Sequence, residues 1–192
     1  MGDGGSESED STLNEGIGGF EMFQRRASDL ERSADPHWRV GFDPRFRLGL
    51  EGGVANAIVS QLDVRPFPAG RPGVLVDIGG GASPITDSLT LELAKLNCRH
   101  VVIDGPAMVA HLANYPSRHV IPGRFPDVLR SPLWNVGQVD HVLVYSVFQY
   151  VIRDMPMESF MMGLVSVAMN ARSGMLGDLP NRDKRDRRLR RE

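Results

Sequence analysis

Residues 73–84 read Gly-Val-Leu-Val-Asp-Ile-Gly-Gly-Gly-Ala-Ser-Pro, an apolar run that ends near a carboxylate, passes through three glycines and opens a helix. Val74, Leu75 and Val76 call for a strand buried on both faces, as in a parallel sheet. Glycines between such a strand and a helix tolerate positive φ and take up no side-chain volume, so backbone can approach a ligand closely. On this reading a side chain at Gly79 would fill space meant for the ligand. Ser83 suits the N-cap and Pro84 the first helical position. A turn without a ligand would use both residues in the same way, so the turn alone leaves the two readings open.

Charge narrows the choice of ligand. A dinucleotide turn, G-x-G-x-x-G, would be met by Gly79 and Gly81, but Pro84 occupies the third glycine position. Asp77 lies beneath the turn, where it would repel a pyrophosphate and attract a cation. S-adenosylmethionine carries an ammonium and a sulfonium and matches that sign. The segment 76–83 resembles motif I of the class I S-adenosylmethionine-dependent methyltransferases, D/E-x-G-x-G-x-G, with Ser83 in place of the last glycine. The resemblance implies a Rossmann-like methyltransferase fold and S-adenosyl-L-methionine as cofactor, held by Asp77, Gly79, Gly80, Gly81 and Ser83.

Further along, Ile85, Leu89, Leu93 and Leu96 fall at helical spacing and predict a helix over 84–96. A second strand over 99–104 ends in Asp104 and is broken by Gly105-Pro106. In the resembled family an acid at this place accepts hydrogen bonds from ribose hydroxyls; the alternative for Asp104 is a carboxylate stabilising the next helix N-terminus. A third strand is expected at 119–121, followed by Phe125, which the resemblance would lay against the purine and which could equally be core. Arg124 stands where the family often has an acid near the adenine amino group.

The run 139–148 predicts a fourth strand, with Asp140 and His141 at the end away from the chemistry. Ligands bind outside the carboxyl ends of parallel strands, so Tyr145, Ser146, Phe148, Gln149 and Tyr150 are expected to face the ligand. Tyr145 and Ser146 are assigned to the cofactor and Tyr150 to catalysis. A helix through Met157, Phe160, Met161, Leu164, Val165 and Ala168 is expected to use its methionines for core packing and to end on Ser173-Gly174. A short fifth strand follows at 175–178. The alternation predicts an α/β fold, a doubly wound and mostly parallel sheet with helices on both faces.

Four regions are expected: a disordered acidic, Gly- and Ser-rich tail at 1–19, a helical cap at 20–68, the S-adenosylmethionine-binding domain at 69–181 and a basic segment at 182–192. The resembled family continues through two more strands, so the sheet is expected to be C-terminally incomplete. The fifth strand would then offer an edge to a homodimer or another partner. Length 192 suits one domain, and a net charge of −2 gives no reason to expect a nucleic acid or a membrane surface as partner. Acids interleaved in 182–192 read as a solvated end. Cys98, the one cysteine, excludes a disulfide framework and a thiolate metal cluster, and no metal is expected. With no leader-like or membrane-length apolar run, the expected location is cytoplasmic.

Gly177-Asp178-Leu179-Pro180-Asn181, followed by Lys184 and Arg185, resembles an element of bacterial methyltransferases associated with sugar or polysaccharide assembly. That likeness implies Asp178 as a base or substrate ligand, and a sugar among the candidate acceptors. Small-molecule O-methyltransferases place a basic histidine just after the fourth strand, where this chain has Gln149, which cannot take a proton at neutral pH. Ser146-Val147-Phe148 lacks the prolines of the nucleic-acid amino-methyltransferases. The expectation is therefore a methyltransferase acting on a small-molecule methyl acceptor. The alternatives are a non-catalytic cofactor-binding or scaffold module of the same fold, and an NAD(P)-binding oxidoreductase, which Pro84 and Asp77 oppose.

Overall fold

A computed structural model describes residues 18–29, 34–41 and 48–178. The tail through residue 17, residues 179–181 and the basic segment 182–192 lie outside the described residues. The glycine-turn unit forms as its sequence dictates. Strand β1 (Gly73–Ile78) is buried along its whole length. Helix α4 (Pro84–Lys95) follows, with Pro84 in its first turn and the Ser83 side chain accepting from Thr86 N as N-cap. Before β1 come α1 (Gly19–Ser28), the short α2 (Pro36–Arg39) and α3 (Glu51–Gln61).

After α4 the chain alternates through β2 (Cys98–Asp104), α5 (Pro106–Val109), β3 (Arg118–Pro122), a 3₁₀ turn at Asp127–Arg130 and β4 (His141–Tyr145). Helices α6 (Phe148–Asp154) and α7 (Met157–Ala168) lead to β5 (Ser173–Gly177). All pairings are parallel and the strand order is β3-β2-β1-β4-β5. The order reverses between β1 and β4, the place where an open α/β sheet forms its ligand crevice.

Strand pleating sends successive β1 side chains to opposite faces. Val74, Val76 and Ile78 join one core with Phe160 and Val167 of α7; Leu75 joins another with Ile58 of α3 and Ile85, Leu89 and Leu93 of α4. Helices therefore cover both faces, as the alternating order predicts. Cys98 opens β2 inside the second core, where burial pushes its thiol up to about 12 and leaves it a packing group.

Three local expectations are corrected. The apolar run 139–148 is strand only over His141–Tyr145, because Ser146 turns at a φ of 60° and Phe148 starts α6. Ser173-Gly174 does not end α7, which stops at Ala168; both residues pair with β4 as the start of β5. The methionines of α7 are not all core. Phe160, Gly163 and Val167 make the buried stripe at spacings of three and four, which turns Met162 (67% exposed) and Met169 just beyond the helix (73%) toward solvent.

Candidate active site

A cavity opens at the carboxyl ends of β1 and β4, beneath the segments that precede β1 in sequence. Its volume is about 150 Å³. Its floor is the turn Gly79–Gly81, where Gly79 and Gly81 take φ of 72° and 63°. Thr86 Oγ1 donates to Gly80 O at 2.5 Å and ties the turn to the first turn of α4.

The glycines are required by the protein itself. A Cβ on Gly79 would lie 2.5 Å from Val147 Cγ2, and one on Gly80 would lie 2.5 Å from Asp77 Oδ2. A side chain at Gly79 would strike Val147 at the exit from β4, a residue that lines the same cavity. Glycine at these positions permits a close approach between two pieces of the chain.

Asp77 and Asp104 stand under and beside the turn, and both line the cavity. Asp77 is 3% exposed; its Oδ2 faces His100 Nε2 at 3.2 Å, and its Oδ1 is buried with no hydrogen-bond partner. Asp104 accepts from Gly81 N through Oδ2 (2.9 Å) and from Gly105 N through Oδ1 (2.6 Å). Burial pushes its carboxyl up to about 6, with the charge of Asp77 adding to the rise and the two backbone N–H groups working against it. Asp104 thus also ties down Gly105, the residue that precedes α5. Ser83 lines the cavity while its oxygen caps α4.

Phe125 lines the cavity too, but it is a core residue that meets Phe160 edge to face at 5.3 Å. Tyr145, Ser146 and Tyr150 are in the wall, Tyr150 against Phe23 of α1 at 4.8 Å. Phe148 and Gln149 are not, which corrects the expectation for both. Phe148 packs on Phe160, and Gln149 Nε2 turns back to donate to Ser146 O. Asp178 is exposed, with a φ of 52°, and does not line the cavity; it receives a hydrogen bond from Ser146 Oγ, which does. Asp140 sits at the opposite end of the sheet, accepting from Val74 N and facing Arg71 and Arg172.

The roof supplies residues that the sequence did not single out. Phe20 and Phe23 of α1, His37 and Val40 around α2, and Glu51 and Ile58 of α3 all line the cavity. His37 Nε2 lies 3.6 Å from Glu51 Oε1, and both side chains are largely buried. Helix α1 is held down by Asp154, at the end of α6, whose two oxygens each accept a first-turn N–H, from Gly19 and Phe20, at 2.6 Å. Burial would raise the Asp154 carboxyl, but those two bonds and Arg153 outweigh it and hold it below the usual range. At the other end of α1, Gln24 Oε1 accepts from Ala107 N, and the Ala27 carbonyl meets His111 Nε2 at 2.6 Å.

Four carboxylates, Asp77, Asp104, Glu51 and Asp154, therefore face this space against the guanidinium of Arg124 and the imidazole of His37 among the described residues. Arg124 is turned to the Asp154 carbonyl at 2.7 Å and stacks over Phe20. No described residues form a cluster of three His, Cys, Asp or Glu side chains suited to a metal ion, and no described helix is long and apolar enough to cross a membrane.

No family model and no curated protein matches the chain. Among solved structures it is similar to a precorrin-6y C5,15-methyltransferase from Geobacter metallireducens GS-15, at 14% identity and a TM-score of 0.47 over 72% of this chain and 68% of that one. It is similar to the plantazolicin methyltransferase BpumL in complex with SAH, at 14% identity and 0.48 over 85% and 57%. It is also similar to the mitomycin 7-O-methyltransferase MmcR, at 15% identity and 0.42 over 88% and 53%. The chain spans little more than half the length of the latter two.

Proposed function

We propose that this protein is a S-adenosylmethionine-dependent methyltransferase acting on a small-molecule acceptor. One observation carries the reading: Asp77 lines a carboxylate-rich cavity at a glycine turn, and its buried Oδ1 has no hydrogen-bond partner. A buried acceptor without a donor is costly, and a cationic donor arriving with a ligand would relieve it. The ammonium of S-adenosylmethionine fits that position in sign and in hydrogen-bonding capacity; a pyrophosphate fits neither.

In this reading Asp77 takes the ammonium and Asp104 accepts from the ribose hydroxyls. Gly79, Gly80 and Gly81 let backbone reach the ligand, with Ser83, Phe125, Tyr145 and Ser146 completing the wall. When bound, the cofactor supplies a methyl group activated on sulfur. The protein's own part is to orient, to exclude water and to handle a proton. Phe20, Phe23 and Tyr150 give the roof an apolar, aromatic surface against which a compact acceptor can lie. His37, oriented by Glu51 through Nε2, takes the acceptor's hydroxyl proton at Nδ1. Asp178 acts one step back by fixing the Ser146 hydroxyl, so it serves as a positioning residue. Tyr150 anchors α1 through Phe23 and shapes the acceptor side.

Calorimetry separates this reading from its rivals. S-adenosylhomocysteine should bind and NADH should not. Binding of NADH alone would replace the proposal with an oxidoreductase, and binding of S-adenosylhomocysteine without turnover across a panel of phenols, sugars and amines would leave a non-catalytic module.

A further inference from the structure

Asp77 does not stand alone. Behind it, on the side away from the cavity, His100, Thr90 and Arg118 form a buried chain of hydrogen bonds between β2, α4 and β3. His100 is fully buried, with Nε2 3.2 Å from Asp77 Oδ2 and Nδ1 2.8 Å from Thr90 Oγ1. Arg118, whose side chain is 1% exposed, donates to the same Thr90 oxygen through Nε (2.9 Å) and Nη2 (2.5 Å). It is fixed from outside by Asp87 at 2.7 Å and by the Ala113 carbonyl at 2.9 Å.

Counting protons gives this chain a direction. A threonine hydroxyl has two lone pairs and one proton. The two Arg118 N–H groups occupy both lone pairs, so Thr90 can only donate to its remaining neighbours, the His100 Nδ1 and the Thr86 carbonyl. Thr86 O already accepts from Arg118 Nη2 at 3.0 Å. A carboxylate oxygen can only accept, which places the ring hydrogen on Nε2 opposite Asp77 Oδ2, and Nδ1 is met by the Thr90 hydroxyl, whose proton is shared with the Thr86 carbonyl. Nδ1 is then the bare nitrogen and Nε2 carries the hydrogen that it donates to Asp77. Gly80 completes the seat, since a Cβ there would press on the same Oδ2.

We infer that Arg118, Thr90 and His100 are positioning residues that fix the tautomer of His100 and thereby hold Oδ2 of Asp77, leaving Oδ1 presented to the ligand's ammonium. The inference rests on the proposed cofactor. It assigns the relay a task that packing alone would not require: orienting one carboxylate oxygen of the binding site from three elements away.

The test compares S-adenosylhomocysteine with 5′-methylthioadenosine, which keeps the adenosine and lacks the ammonium. His100→Leu should weaken S-adenosylhomocysteine by about tenfold, the scale of one misaligned charge-assisted bond, and leave methylthioadenosine unchanged. His100→Gln, whose side-chain amide can donate toward Asp77, should restore much of the loss. Equal losses for both ligands would assign His100 to the fold alone and overturn the inference, as would no loss for either. If the wild-type protein binds neither nucleoside, the cofactor reading itself falls. The inference also stands or falls on the unaltered protein: imidazole ¹⁵N shifts should show His100 protonated at Nε2 and bare at Nδ1, and the opposite tautomer would refute the relay.

Discussion

Asp104→Asn removes a charge from the crevice at almost constant shape. The Asp104 carboxyl, pushed up to about 6 from 3.8, is about two pK units above its ordinary value, equivalent to about 3 kcal/mol between its two protonation states. Between about pH 4 and 6 the folded protein binds a proton that the unfolded chain does not. The contribution to stability is therefore complete below the ordinary value and is lost as pH rises through about 6. At pH 7 the ionised group opposes folding of the ligand-free protein, whereas at pH 4 both side chains are neutral and differ only by a pH-independent cost, because the amide nitrogen cannot accept from Gly81 N or Gly105 N as the acid does. The stability of Asp104→Asn relative to wild type should thus grow by up to about 3 kcal/mol from pH 4 to 7. Urea unfolding of both proteins at intervals of one pH unit reads that difference directly. Other titrations cancel between the two curves. On the binding side the ionised fraction falls about tenfold from pH 7 to 5, so S-adenosylhomocysteine should weaken by about that factor in the wild type and show no such dependence in the variant. A stability difference that stays constant from pH 4 to 7 would refute the reasoning, because Asp104 would then ionise as it does in water.

Gly79→Ala should lower stability by about 1–3 kcal/mol, since it combines a φ of 72° with a Cβ 2.5 Å from Val147, and thermal unfolding will read the loss. Asp154→Ala should leave the Gly19 and Phe20 N–H groups uncapped at a cost of about 1–2 kcal/mol to α1, seen as faster hydrogen exchange there. Because the Asp154 carboxyl is held below its ordinary value, that cap is intact above the ordinary range and is lost as pH falls through the lowered one; protection of the α1 amides relative to their intrinsic exchange should fall in acid in the wild type only. His37→Gln should cut methyl transfer to a hydroxyl acceptor by about 10²–10⁴-fold while the S-adenosylhomocysteine dissociation constant holds. Strand β5 stands at the edge of the sheet among the described residues and exposes Leu176, so Leu176→Lys should reduce any self-association seen by sedimentation.

The β1-turn-α4 unit was legible in the sequence because each local preference there agrees with the fold: buried β-branched residues, glycines at positive φ, a serine cap and a proline in the first turn. The sheet order followed from the alternation of short apolar runs with helical stripes. Helix α6 was hidden because an apolar run has no period of its own, and the turn at Ser146 carries no glycine or proline to mark it. His37 and Glu51 were missed since nothing in sequence links them, and their meeting depends on how α2 and α3 fold over the crevice. For the relay there was one signal. A histidine inside the apolar run 98–104 needs polar partners wherever the strand is buried, though Thr90 and Arg118 could not have been named from it.

The contact between the glycine turn and the exit from β4 makes two distant positions answer to each other. Val147 occupies the space that any side chain at Gly79 would need. Substitutions at the two sites should therefore be non-additive: Gly79→Ala should do less harm in a Val147→Ala background than alone, with the cost of its positive φ remaining. Across natural variants of this chain, a residue larger than glycine at position 79 should appear together with a smaller one at position 147. The glycine turn, in that sense, is a record of the side chain opposite it as much as of any ligand.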